Sequence, residues 1–295
     1  MTGLITPGMG SAAGPGNSGR EASWAGDANR ALNRDHAGGG RDPGSSGREA
    51  SWAGDANRAL NRDKSGGGKA TLLLLADGRL PAGGHAHSGG VEEAVTDGRI
   101  SGLDDLRRYL EGRLWTTGAV DAALAITAWD LGDAVPLPDA AWSRLDAEAA
   151  ARMPSPALRA ASRAQGRGIL RAARRMWPTP WLGDLAGIHP DGPLSAPALG
   201  AAARAAGLEA GDAALLACQN ATTGPAWAAV RLLGLDPFSV ACLLAELAPS
   251  VEAVAAEALS QGAGLEVAQL PALSGPMTDV AAEVHASREV RLFAS

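Results

Sequence analysis

From Leu103 onward the chain reads as helix. Leu103, Leu106, Leu110 and Leu114 recur at a spacing that returns each to one face, with Asp105, Arg108 and Glu111 on the other. The pattern predicts a long helix reaching about Trp129. Ser101-Gly102-Leu103-Asp104 precedes it and fits a capping box, in which hydroxyl and carboxylate satisfy amides left unpaired at a helix start. Ser155-Pro156 and Asp236-Pro237 signal two more starts, each an oxygen-bearing cap followed by a proline whose missing amide costs nothing at the first helical position. Val240, Leu243, Leu244 and Leu247 form the apolar stripe behind the second. Helices are also predicted over 198–206 and 212–233, the latter stopped by Gly234. Alanine, leucine and arginine dominate, β-branched and aromatic residues are few, and strand–helix–strand alternation is lacking. The expected fold is all-α, a single multi-helix bundle domain of about seven to ten helices.

No such pattern runs through the first part of the chain. The segment Ser18–Asp35 recurs unchanged at Ser46–Asp63, with the Gly-rich stretches 38–40 and 66–68 after the copies. Two copies of a Gly-, Asn- and Asp-rich unit bury too little apolar surface to offset chain entropy, and a solenoid needs at least about three repeats. Residues 1–69 are therefore expected to be a disordered Gly-rich tail and 70–295 the folded domain. Trp24 and Trp52 offer an alternative reading as docking anchors in short linear motifs. Gly68-Lys69 lacks the earlier glycine and the following hydroxyl of a phosphate-binding loop, so nucleotide binding is not expected.

Charge narrows the choice of partners. Of 26 basic and 32 acidic side chains, 9 and 7 lie in residues 1–70, leaving 17 and 25, a net of −8, for the rest. An acidic domain has no broad basic surface for phosphates, so nucleic acid is not an expected partner. Cys218 and Cys242 stand in apolar helical surroundings without a second ligand at metal spacing, and read as two buried thiols in a reducing compartment. No uninterrupted apolar run approaches the roughly 18 residues that cross a membrane, and the start at Met1 does not read as a leader. The expected location is cytoplasmic, with no membrane partner.

The chemistry concentrates in the loop Gly83–Gly90. His85 and His87, one residue apart, can share a borderline metal such as nickel, which suits imidazole. Ser88 with its flanking His87 and glycines looks like a degenerate nucleophile elbow, which would make the chain a serine hydrolase; an elbow, however, needs a strand leading into the serine, and Pro81–Gly84 intervenes. A purely structural reading also accounts for the loop: tight backbone, Ser88 as a helix cap, and Glu92 near the positive helix end.

The stretch from Leu75 to Glu92, with Asp77, then Pro81-Ala82-Gly83-Gly84, then His87-Ser88-Gly89 and a helix-opening glutamate, resembles the N-terminal signature of urease accessory protein F. His285 followed by Arg291-Leu292-Phe293-Ala294-Ser295 is similar to that family's ending. Ala161–Arg167 and Ala229–Leu232 resemble internal segments, in the expected order. The chain departs from the family at His85, where an aromatic is usual; at Ser195-Ala196-Pro197, where a His-aromatic-Pro segment is usual; and at Ala286 and Arg288, which replace a glutamate and a glutamine.

The resemblance implies an all-α urease maturation chaperone rather than an enzyme: a homodimer that binds accessory protein D (H in some organisms), recruits the GTPase accessory protein G, and engages apo-urease for GTP-dependent nickel insertion. No cofactor would be held stably; nickel would pass in transit. Arg291, Leu292, Phe293, Ser295 and Arg231 are the expected partner contacts, the tail being mobile until bound. Asp77, Ser88 and Glu92 are expected along a nickel route, with His85 and His87 as metal contacts. A generic helical adaptor is the remaining alternative.

Overall fold

Every regular element among the described residues is helical and no strand occurs among them, as the sequence pattern predicts. The computed structural model describes residues 68–132, 138–262 and 265–293, without the side chain of His85. All of them belong to the unit Arg62–Ser295. The duplicated segment with Trp24 and Trp52 lies outside the described residues, as does Ser295.

In chain order the helices are α1 (Lys69–Ala76), α2 (Val91–Thr96), α3 (Leu103–Arg113), α4 (Ala119–Leu131), α5 (Asp139–Ala151), α6 (Pro156–Met176), α7 (Pro180–Leu185), α8 (Ser195–Ala205), α9 (Ala210–Leu233), α10 (Pro237–Gly262) and α11 (Pro276–Ala286). A π turn, Leu114–Gly118, joins α3 to α4, so the predicted long helix runs on with one wider turn inside it. Both Pro-led starts are present. Ser155 Oγ accepts the Leu158 amide at 3.1 Å, and the Asp236 carboxylate accepts those of Phe238 and Ser239 at 3.3 and 2.9 Å. The cap of α3 differs from the expected one. Gly102 is the cap residue and the helix begins at Leu103, so Asp105 rather than Asp104 reaches back, accepting from the Ser101 amide and hydroxyl at 2.9 and 2.7 Å.

The centre of the bundle is α4, α8 and α9, with α6 on the outer side of α8 and α10 against α9. Small residues permit that close approach. At Gly200 in α8 an added Cβ would lie 2.0 Å from the Ala125 carbonyl oxygen of α4, so only glycine fits. Leu114, Leu124, Ile126, Trp142, Leu182, Leu194 and Leu216 fill the spaces around this contact. A second cluster joins Leu106 and Leu110 of α3 and Val91 of α2 to Val240, Leu243 and Leu247 of α10. Each such leucine, once buried, contributes roughly 1.5–3 kcal/mol.

Two sequence expectations change here. Cys218 is buried, but Cys242 is exposed, because it falls on the face of α10 turned away from Leu243 and Leu247. And α10, although broken by single polar residues, has a mean hydropathy of 1.6 over 18 residues, which by length and composition alone is enough to cross a membrane; its Val240, Leu243, Leu247, Val251 and Val254 are buried within the bundle.

Candidate functional site

The loop before α2 is pressed against α3 and α9. Gly89 and Gly90 take positive φ of 61° and 90°; a Cβ on Gly89 would meet Pro225 Cγ at 2.9 Å, and one on Gly90 would meet Tyr109 Oη at 2.8 Å. Tyr109 Oη donates to the Gly89 carbonyl at 2.6 Å. Arg113 links the same loop to α9 for a reason written in the sequence: Pro225 has no amide to give to the carbonyl four residues earlier, that of Ala221, and Arg113 Nε donates to it at 3.1 Å. The other arm of Arg113 donates to the Gly89 carbonyl at 3.1 Å.

This turn delivers Glu92 and Glu93 into the protein at the first turn of α2, where the C-terminal segment returns to meet them. The Glu92 carboxylate accepts from the Leu292 amide at 2.7 Å and the Phe293 amide at 3.0 Å, and lies 2.7 Å from His285 Nε2, itself buried on α11. Burial pushes the Glu92 carboxyl up, but the Leu292 amide, the His285 ring and the Phe293 amide together outweigh it and hold the group below its usual range. Beside it Arg288 forms a bidentate pair with Glu93 at 2.6 and 2.7 Å, which lowers the Glu93 carboxyl. The Phe293 ring is buried, with the Arg231 guanidinium 4.5 Å from its centroid.

The structure thus joins Glu92, Phe293 and Arg231 into one arrangement that links both ends of the domain. It alters the expectation of a tail mobile until bound: Phe293 is seated at 5% exposure, whereas Arg291 and Leu292 face outward. Arg288, one of the departures from the family pattern, supplies an ion pair. Ser195, another, has its amide donating to Ser162 Oγ at 2.9 Å and its hydroxyl 2.9 Å from the same oxygen. Arg163, in the same α6 segment as Ser162, pairs bidentately with Asp146 at 2.8 and 3.1 Å, both partners largely buried. Ser88 is fully buried, with the Glu92 amide donating to its Oγ at 3.4 Å, and no strand leads into it; the nucleophile-elbow geometry is not formed there.

A cleft of about 440 Å³ lies among α1, its following loop, α4, α6 and α9. Asp77 and His87 line it, as do Arg231, Trp227 and Asp279; Ser88 and Glu92 do not. Of the residues expected along a nickel route, Asp77 alone lines the cleft, Glu92 holds the tail amides and Ser88 accepts the Glu92 amide; of the expected metal contacts, His87 lines the cleft. The Asp77 carboxylate is engaged by Arg79, which lowers it. No group of three His, Cys, Asp or Glu side chains is placed to hold a metal among the described residues.

Sequence reasoning missed Asp121 and Arg113. Asp121 lines the cleft from α4, and burial pushes its carboxyl up to about 6 against the pull of Arg113. The signal was present: Asp121 is the single charge within Ala119-Val120-Asp121-Ala122-Ala123-Leu124, an otherwise apolar run. For Arg113 the clue was Pro225 inside a predicted helix.

A family model described as UreF matches residues 100–248. Urease accessory protein UreF of Mycolicibacterium vanbaalenii is 50% identical over 227 residues, which cover 77% of this chain and 98% of that protein. The proteins of the same description from Mycobacterium sp. strain JLS and Mycobacterium tuberculosis strain H37Rv are 46% and 40% identical over 226 residues, covering 76% and 77% of this chain and 98% of theirs.

Proposed function

The chain belongs to the UreF family of urease accessory proteins, and from its part in urease maturation we propose that it is a non-catalytic scaffold joining accessory protein D (or H) and the GTPase accessory protein G to apo-urease. The observation that carries this reading is the 50% identity extending over 98% of a UreF protein. The scaffold works in the cytoplasm as a homodimer, and nickel released on GTP hydrolysis by the partner passes through it as cargo. Of the expected partner contacts, Arg291 and Leu292 of the tail are exposed, and Met277, Val280 and Val284 expose a further apolar group on α11. Phe293 and Glu92 act one step back, fixing the tail so that those residues are presented together. Arg231, stacked on Phe293, couples the tail to the G-protein contact. Along the cargo route Asp77 and His87 are the cleft residues already named, with His85 beside them in the loop.

Size-exclusion chromatography with light scattering tests the scaffold. The chain mixed with accessory protein D, then with accessory protein G and GTP, is expected to form a complex of rising mass containing all three. Removal of residues 291–295 is expected to abolish the first step. If the shortened chain still co-elutes with accessory protein D and still supports urease activation, the tail is not the contact.

A further inference from the structure

α6 packs one face on α8 and turns the other away from the bundle. Ser162, Gly166, Ile169, Leu170 and Ala173 are buried on the inner side, whereas Arg167, Arg171, Arg174 and Arg175 are all exposed. Positions 167, 171 and 175 are successive i, i+4 neighbours and 174 lies three after 171, so the four side chains share one stripe along the C-terminal half of the helix.

Like charges at that spacing repel. The preference of a last helical turn for cations covers Arg174 and Arg175 but not Arg167 or Arg171. Elsewhere the fold spends its arginines. Of the 17 from residue 71 onward, eight form an ion pair with a carboxylate, three more donate to backbone carbonyls and two lie over aromatic rings. The four that remain are Arg291 of the tail and Arg171, Arg174 and Arg175. A domain with 25 acidic side chains thus leaves three unpaired cations side by side on one outward helix face.

We propose that the stripe Arg167–Arg175 of α6 is a docking surface for an acidic helix of a partner protein, one that presents carboxylates four residues apart. Side chains at i and i+4 stand about 5–6 Å apart on any helix, so carboxylates with that spacing match Arg171 and Arg175, and a planar guanidinium takes a carboxylate through two parallel hydrogen bonds. The stripe is short, about 12 Å from residue 167 to 175. Asp191, whose carbonyl receives Arg167 Nη1, is exposed at one end, and Asp184 is exposed beside Gly183, where a Cβ would lie 3.9 Å from Arg174 Nη2. Within a domain of net charge −8, a patch bounded in this way suits a segment carrying a few carboxylates; the extended phosphate arrays of nucleic acid or a bilayer would meet the surrounding acids as well. The surface goes beyond the scaffold reading and needs neither the tail nor the accessory proteins.

Fluorescence anisotropy tests it with the full chain and a fluorescein-labelled, alanine-based helical peptide bearing glutamate at every fourth position, beside glutamine and lysine versions of the same peptide. The glutamate peptide is expected to bind, less tightly as salt is raised, and the glutamine peptide is not. Arg171→Gln/Arg175→Gln is expected to weaken binding about fivefold, the effect of losing two exposed ion pairs. Arg171→Glu/Arg175→Glu is expected to weaken it about tenfold or more and to take the lysine peptide instead. Arg144→Gln, at an exposed arginine of α5 paired with Glu266, is the control and is expected to leave binding unchanged. Glutamine and glutamate are good helix formers, so all variants are expected to keep the helical circular dichroism of the wild type. The proposal is overturned if the glutamate and glutamine peptides bind alike, or if both double variants bind the glutamate peptide like the wild type. It is equally overturned if a short DNA duplex or phosphatidylglycerol vesicles bind these arginines more tightly than the peptide at the same salt.

Discussion

Glu92 and Asp121 are both deeply placed acids, and their surroundings give them opposite consequences. Glu92 has its folded-state value lowered, so its contribution to stability is complete above its ordinary value of 4.5 and is lost as pH falls through the depressed one. Acid is thus expected to release the tail, read as increased proteolysis after Arg288 and Arg291. Glu92→Gln should release it at neutral pH and lower stability by about 1–3 kcal/mol, the usual effect of disrupting a buried charge-assisted hydrogen-bond set. Asp121 has its value raised from 3.8 to about 6, so its cost is absent below the first and complete above the second. Asp121→Asn should therefore match the wild type in denaturant melts at pH 4 and exceed it by up to about 3 kcal/mol at pH 7.5. Glu92 was legible in the sequence as a helix-opening acid, but its three partners lie some 200 residues away, a separation no local pattern encodes.

Helices were read well from periodicity because burial of one face and the chemistry of caps are local properties; the starts at Pro156 and Pro237 follow directly from them. What α4 and α8 do to each other was not local. Gly200 looks in sequence like any helix glycine, and only the opposing Ala125 carbonyl shows why it cannot be replaced. Gly200→Ala is expected to destabilise the domain by several kcal/mol, as overpacking against backbone has no side chain to yield. Gly112→Ala on exposed α3, where an added methyl meets nothing within 4 Å, is expected to stabilise by roughly 0.5–1 kcal/mol. Chemical denaturation of the two variants side by side checks both signs. The π turn before α4 and the proline inside α9 belong to the same lesson: Arg113 uses the carbonyl that Pro225 leaves free, so an apparent helix fault becomes a tie between α9 and the Gly89 loop.

At the scale of the whole molecule, the family-like segments are distributed over two kinds of work. The Ala161–Arg167 segment fastens the loop before α8 to α5 and α6, while the Gly-rich loop, Arg231 and the ending form the arrangement that seats the tail. The alignment with the Mycolicibacterium vanbaalenii protein spans 227 residues of this chain and 98% of that protein, leaving 68 of the 295 residues outside it. Removal of residues 1–67, which contain the duplicated segment, is accordingly expected to leave assembly and urease activation unchanged. The scaffold role in nickel loading proposed above is tested by the nickel content of purified apo-urease after incubation with accessory proteins D and G, GTP and nickel, with and without the chain. Nickel incorporation and urease activity are expected to depend on the chain and on GTP; incorporation that proceeds equally well without the chain would rule out the scaffold role.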